Sequence, residues 1–367
     1  MSLLHADFPS GDPGLYGTTT SLMTAAGWTI GSAGFKLNIE DDPDVEVTGN
    51  VLRFTNSFAS AAIATRAINQ ETIGFNGRFW LTLMPTFTAE NPAYQVWPIV
   101  DNAGNTRYMR LTVTEAGQLR LLMSQASLDL YSAPGIITCR GWHYIETKLF
   151  YGGFGNGGNG NIEVRLNGDV IFDENFTLLV EDPPVTPNYF NFFFQGVSIR
   201  HDSYNFGSTD FYVKDMVIWD GQGSVNNDFL GEVWTTRHIP TSDVSLNWTP
   251  STGTTGFDLI DESPPDLADY IQADATPPAA AVMGVSNLPA YIDTVNGLIV
   301  CSYIDVSGVG AQTYRNQVES NAVVGDGATA AAALEFRRDI FENDPDTAAP
   351  WLPAAVDAAR IRFDRVT

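Results

Sequence analysis

Positive charge is scarce in this sequence: Lys and Arg number 19 against 43 Asp and Glu, a formal net charge of −24. A surface of that sign repels phosphate backbones and anionic lipid, which argues against nucleic-acid binding and against insertion into or attachment to a membrane. Lysine is rarest, present only as Lys36, Lys148 and Lys214. Long apolar runs are also missing, because Gly, Asn or Asp cuts each one well before the roughly 20 residues that a membrane helix needs. Cysteine is limited to Cys139 and Cys301, far apart in the chain, which argues against a disulfide framework and predicts two buried free thiols in different domains. The four histidines, His5, His143, His201 and His238, are scattered and have no cysteine near them, so a zinc site is not expected. The start, MSLLHADFPSGDPG, has neither the basic residues nor the apolar core of a secretion signal, and synthesis in a cytoplasm is expected.

What is present is apolar and turn-rich: 44 % hydrophobic residues, 12 % aromatics, 33 Gly and 20 Pro. At about 100–200 residues per domain, 367 residues make two or three folded units. Strand-length alternation appears at Val51–Thr55, Gly77–Leu83, Tyr108–Val113, Leu119–Met123, Trp142–Leu149 and Ile162–Leu166, each bounded by turn formers. Asn167-Gly168, followed by Val170–Phe172, is a strong hairpin signal, since both central residues of a tight I′ turn take positive φ. Phe190–Phe194 and Phe211–Trp219 read as two more strands with aromatic faces, and Leu230–His238 as another. Helix is confined to Gly325–Phe341, which reads equally as a loop and a strand, and to the turns near Ala354–Arg360. The pattern predicts an all-β chain. Residues 1–222 are expected to form one β unit, which the resemblance described below implies is a jelly-roll sandwich, 223–280 an extended proline-rich connecting arm, and 281–367 a smaller C-terminal β domain with strands at Leu298–Val306, Thr313–Ser320 and Ile361–Val366.

Few residues suggest chemistry. Glu40-Asp41-Asp42-Pro43-Asp44-Val45-Glu46 has the carboxylate spacing of a glycosidase strand, with Glu40 and Glu46 facing one cleft, but Pro43 removes a ladder donor and makes a solvated acidic turn the better reading. Asp41, Asp42, Asp44 and Glu46, or Asp202, Asp210 and Asp215, offer oxygen ligands for a structural Ca²⁺, although neither set has a full calcium-loop spacing; no other cofactor is indicated. His143 sits between Trp142 and Tyr144 and reads as a half-exposed strand histidine beside core-type rings. No Gly-x-Ser-x-Gly nucleophile elbow occurs, and the run Gly153–Gly160 is followed by no Lys-Ser, Lys-Thr or helix that would make it a phosphate loop. Tyr151 and Phe154 beside that run, with Tyr204 and Phe206, are the rings that would stack a sugar on loops of the sandwich.

The order of motifs carries a resemblance. Gly141-Trp142-His143-Tyr144-Ile145-Glu146, a Gly/Asn loop and then Ile162–Gly168 resemble laminin-G-like, concanavalin A-like sandwiches. Phe211–Asp215, Asn227–Val233, Trp248-Thr249-Pro250, Asp261-Glu262, Asp269-Tyr270-Ile271 and Asn343–Trp351 follow, and the whole string resembles a family of virion structural proteins of tailed bacteriophages. That resemblance implies a non-enzymatic tail, fibre or capsid-appendage subunit, located in the virion. It would assemble with other virion proteins and with copies of itself, a trimer being favoured, through an arm in which Trp248, Pro250 and Tyr270 clamp a neighbour. The alternative is a lectin-like module that binds host surface polysaccharide through loops of the sandwich.

Overall fold

A computed structural model describes residues 107–123, 127–152, 159–177, 211–261, 268–273, 279–304, 312–331 and 335–367. It also describes the shorter segments 3–6, 29–30, 37–41, 50–54, 60–64, 72–82, 94–95, 99–101 and 197–200. The chain divides into two compact units, 2–235 and 236–367.

The first unit is a jelly-roll β-sandwich of two eight-stranded sheets. One sheet runs Asp169–Thr177, Asn159–Leu166, Trp142–Gly152, Thr72–Leu81, Phe211–Asp220, Asn50–Phe54 and Leu37–Asp41, with Leu3–Ala6 also paired to Phe211–Asp220. The second runs Leu128–Tyr131, Leu119–Met123, Arg107–Val113, Ile99–Asp101, Val197–Arg200, Ser60–Ala64 and Thr29–Ile30, with Tyr94–Gln95 beside Arg107–Val113. The pairings are antiparallel, so successive side chains go to opposite faces. Phe75, Phe79, Ile145, Leu149, Val213 and Ile218 take one face of the first sheet, and Leu111, Leu119, Leu121 and Met123 the facing side of the second, all buried. Asn167 and Gly168, with φ of 52° and 90°, close the expected hairpin.

The second unit is smaller. Its main sheet runs Pro240–Leu246, Ala279–Val285, Arg360–Arg365, Thr313–Ser320 and Val323–Asp326, and the pair Leu298–Ile304 with Glu335–Phe341 completes its core. Trp351 is buried in that core and donates Nε1–H to the Phe341 carbonyl at 2.9 Å. The Asn343–Trp351 motif is thus a structural turn, closed by Asp344 Oδ1 accepting the Asp346 N–H. Gly325–Phe341 takes its loop-and-strand form, and Pro353–Ala358 is a short helix.

Three expectations need correction. The stretch 223–280 does not extend as a free arm: Pro240–Leu246 is an edge strand of the second unit's sheet, and Trp248–Pro250 pairs with Ile271–Ala273. Trp248 packs on the second unit's own core and Pro250 pairs with Ile271, while the Tyr270 carbonyl accepts the Ser251 N–H and its ring is exposed. Leu230–His238 is not a strand, because side chains of the first sheet take the hydrogen-bonding groups a ladder would use. Cys301 is exposed and Cys139 half-buried, both as free thiols in different units.

Candidate functional site

Among the described residues, the outward face of the first sheet carries buried polar and charged side chains, Asn76, Arg78, Glu146 and Lys214 among them. On Thr72–Leu81 the residues facing outward are Gly74, Asn76, Arg78 and Trp80; opposite them in register stand Lys148, Glu146, Tyr144 and Trp142. Phe211–Asp220 adds Tyr212 and Lys214 opposite Trp80 and Arg78, and Trp219 opposite Gly74. Asn159–Leu166 places Arg165 and Glu163 beside Glu146 and Lys148. Two of the chain's three lysines therefore lie on one sheet face, with Arg78 and Arg165.

Arg78 is the hub. Its side chain is 2 % exposed, and Nη1 donates to Asp215 Oδ2 at 2.5 Å and to the Val233 carbonyl at 2.6 Å, while Nη2 donates to Glu232 Oε1 at 2.8 Å. The guanidinium also lies 3.6 Å from the centroid of the Trp234 ring and 5.3 Å from that of Tyr144. Asp215 reaches it because a bulge interrupts the pairing between Lys214 and Val217; Asp215 sits at φ 51°, in the left-handed region that Asp tolerates, and its side chain is re-aimed onto the face. Its second oxygen accepts the Thr235 N–H at 3.0 Å.

Glu146 is 1 % exposed, and its Oε1 accepts from Asn76 Nδ2 at 3.3 Å and from the Gly231 N–H at 2.9 Å. Burial holds its carboxyl above the usual value, against the hydrogen bonds and the Arg165 charge that pull it down. Burial, and next the Glu146 charge, likewise raise the Tyr144 phenol, which donates to the Gly231 carbonyl. Asn76 Oδ1 in turn accepts from Trp219 Nε1 at 3.1 Å. At the rim, Lys148 Nζ donates to Asp228 Oδ1 at 2.6 Å, and Arg165 stacks 3.7 Å from the Phe229 ring centroid. Burial works to raise the Asp228 carboxyl, but the Lys148 hydrogen bond, the Phe229 N–H and the charges of Lys148 and Arg165 hold it below its ordinary value. Lys214 Nζ lies 4.1 Å from the Trp142 ring centroid, and Trp142 meets Trp80 edge-on.

Residues 228–235 therefore lie across this face as a strap with no ladder pairing. The partners of Asn76, Arg78, Glu146 and Lys148 were not foreseen in the sequence. The signal was there as period-2 alternation, in Gly74-x-Asn76-x-Arg78-x-Trp80 and in Trp142-x-Tyr144-x-Glu146-x-Lys148, where polar and aromatic residues share the face opposite the core. Trp142 and Tyr144 consequently belong to this face and not to the space between the sheets. His143 is on the core side and 5 % exposed, not half-exposed; burial lowers its pKa, and its Nε2 lies 2.9 Å from the Thr138 carbonyl.

The other expected sites fall largely outside the described residues. Glu40 and Asp41 end the strand Leu37–Asp41, while Asp42, Asp44 and Glu46 lie outside the described residues, as do Phe154, Asp202, Tyr204, Phe206 and Asp210. Tyr151 is in the strand Trp142–Gly152, its side chain outside what is described. Phe190–Phe194 also falls outside. Among the described residues no group of three or more His, Cys, Asp or Glu is placed to hold a metal ion, and Asp215 is taken by Arg78. No described helix is long and apolar enough to cross a membrane.

No family model matches the chain, and no curated protein does. Among solved structures it is similar to alginate lyase Aly36B in complex with alginate trisaccharide (12 % identity, 59 % of this chain and 97 % of that one, TM-score 0.35). It is similar to alginate lyase vAL-1 from Chlorella virus (10 %, 59 % and 99 %, TM-score 0.33) and to a beta-glucanase catalytic domain from Podospora anserina (12 %, 57 % and 95 %, TM-score 0.30). The likeness concerns architecture, and no residue is carried over from it. The expectation of a phage virion subunit is corrected by these findings. These three structures are carbohydrate-acting enzymes and not tail, fibre or capsid proteins, and strands of the segment expected to clamp a neighbour pair within the second unit.

Proposed function

We propose that the first unit is a glycan-binding module, with the sugar lying along the outward face of the sheet. The observation that carries this reading is the juxtaposition, on two adjacent strands, of Trp80, Trp142 and Tyr144 with Asn76, Arg78 and Glu146. A pyranose has an apolar face that stacks on a ring and an equatorial belt of hydroxyls that needs donors and acceptors fixed in place; this face carries both kinds of group, Asn76, Arg78, Tyr144 and Glu146 being buried while residues 228–235 lie across them. The rigidity is in place too, since Asn76 is fixed by Trp219 and Glu146, and Arg78 by Asp215. A fold stabilised by burial alone would fill such positions with apolar residues, as the core side of the same strands mostly does with Phe75, Phe79, Ile145 and Leu149.

The reading is of binding, with no catalytic step assigned. It is tested by presenting the full chain to an array of neutral and charged glycans. Retention of at least one class is expected, with Trp142→Ala weakening it about tenfold. Retention of no glycan, or binding indifferent to Trp142→Ala and Asn76→Ala, would remove the reading.

A further inference from the structure

The face already has an occupant, and its chemistry indicates what else would fit. Residues 228–235 are held by side chains of the sheet: Lys148 and Arg78 take the carboxylates of Asp228 and Glu232, four residues apart, and between them the Gly231 N–H and carbonyl meet Glu146 and Tyr144. A segment with a carboxylate at each end and hydrogen-bonding groups between them is thus held by a cation at each end, with Glu146 and Tyr144 between. On the sheet face Arg78, Lys148, Arg165 and Lys214 stand with three carboxylates, Glu146, Glu163 and Asp215, so without the strap cations outnumber carboxylates there, in a molecule with 43 acidic and 19 basic residues.

The strap is held by side chains of the sheet, at the Gly231 N–H and carbonyl, the Val233 carbonyl and the Thr235 N–H, and not by a ladder; Asp228, Gly231, Glu232, Trp234 and Thr235 are exposed. Its two ion pairs engage side chains 65 % and 59 % exposed, where such pairs contribute little. Gly223 and Gly231, at φ 84° and 73°, sit before it and within it. When the strap leaves, Arg78 keeps Asp215 as its partner, so no buried charge is stranded.

From this we infer that the face takes an acidic polysaccharide, one bearing carboxylates along its length, and that Asp228–Thr235 is a displaceable strap holding the same cation positions in its absence. The inference rests on the glycan reading and specifies its ligand class and its control. A competing strap lowers apparent affinity by the fraction of molecules in which it is closed, so loosening it tightens binding.

The test titrates the full chain with a hexuronate oligomer and with a neutral hexose oligomer of equal length, in the wild type and in the double variant Asp228→Asn, Glu232→Gln. The wild type is expected to prefer the uronate at least about tenfold, and the double variant to bind it about tenfold more tightly than the wild type does. Hydrogen exchange on the unmodified chain, which does not depend on any variant folding, should show residues 228–235 less protected when the uronate is bound. Equal affinity for the two oligomers, an unchanged affinity in the double variant, or greater protection of 228–235 would overturn the inference and leave the glycan reading standing. Binding of neither oligomer, by either protein, would remove both.

Discussion

The Trp219 indole lies across the backbone of Gly74: a Cβ on that glycine would fall 1.7 Å from the ring's Cε2. The ring cannot slide away, because its Nε1 donates to Asn76 and its edge meets Phe229 of the strap at a centroid distance of 6.4 Å. Strand, indole and strap are therefore fitted to one another through a missing methyl group.

Gly74→Ala should destabilise the first unit by about 3 kcal/mol, as overpacking against a ring that cannot yield. A lower urea midpoint with an unchanged slope would show it. A midpoint within experimental error of the wild type would mean that the indole has room to move.

Replacing Arg78 by Met should cost about 3–5 kcal/mol, since it leaves the Asp215 carboxylate buried with only the Thr235 N–H for company. Adding Asp215→Asn removes the stranded charge and keeps an oxygen for Thr235, so the double variant should be more stable than Arg78→Met alone. A double-mutant cycle measures this coupling, and strict additivity of the two changes would contradict it.

Glu146 makes stability depend on pH in an unusual direction for a carboxylate. Its pKa in the folded chain is raised from 4.5, so the native state holds this proton more tightly than the unfolded state. Its contribution is greatest below 4.5 and is lost as pH rises through the folded value. Glu146→Gln keeps an oxygen for Asn76 and Gly231 and abolishes the titration. The variant should gain on the wild type as pH rises from about 4 to 8 in paired denaturation curves. A stability difference independent of pH would count against the assignment.

Asp228 behaves in the opposite sense. Its pKa is held below 3.8 in the folded chain, so its contribution is present above that value and is lost as pH falls through the folded value. Asp228→Asn should be slightly less stable than the wild type at neutral pH, by under about 1 kcal/mol for so exposed a pair, and the gap should close in acid. Persistence of the gap at the lowest pH at which the chain stays folded would assign it to something other than the Lys148 pair.

The sandwich, the Asn167-Gly168 hairpin and the strands of the second unit were legible because period-2 alternation and turn chemistry are local properties of the chain. The outward face was harder. Arg78 and Asp215 are far apart in sequence, and their meeting depends on a bulge that nothing in Val213–Met216 announces. Leu230–His238 reads as a strand in the sequence, whereas the place of residues 228–235 depends on Lys148, Glu146 and Arg78, which belong to distant strands. Alternation identified strands correctly while leaving open which face meets the second sheet. That is how Trp142 and Tyr144 came to be taken for core and His143 for a rim residue.

The middle strand of the second unit's sheet, Arg360–Arg365, lies between Ala279–Val285 and Thr313–Ser320, and it is the last of the three along the chain. During synthesis its two neighbours emerge first and must wait, each with an open edge, until it arrives. A ribosome paused before residue 360, or a chain cut there, would expose two unpaired strand edges, the kind that recruit other chains. The second unit thus completes its sheet only when this late segment inserts, and its main risk during production is self-association of shortened products.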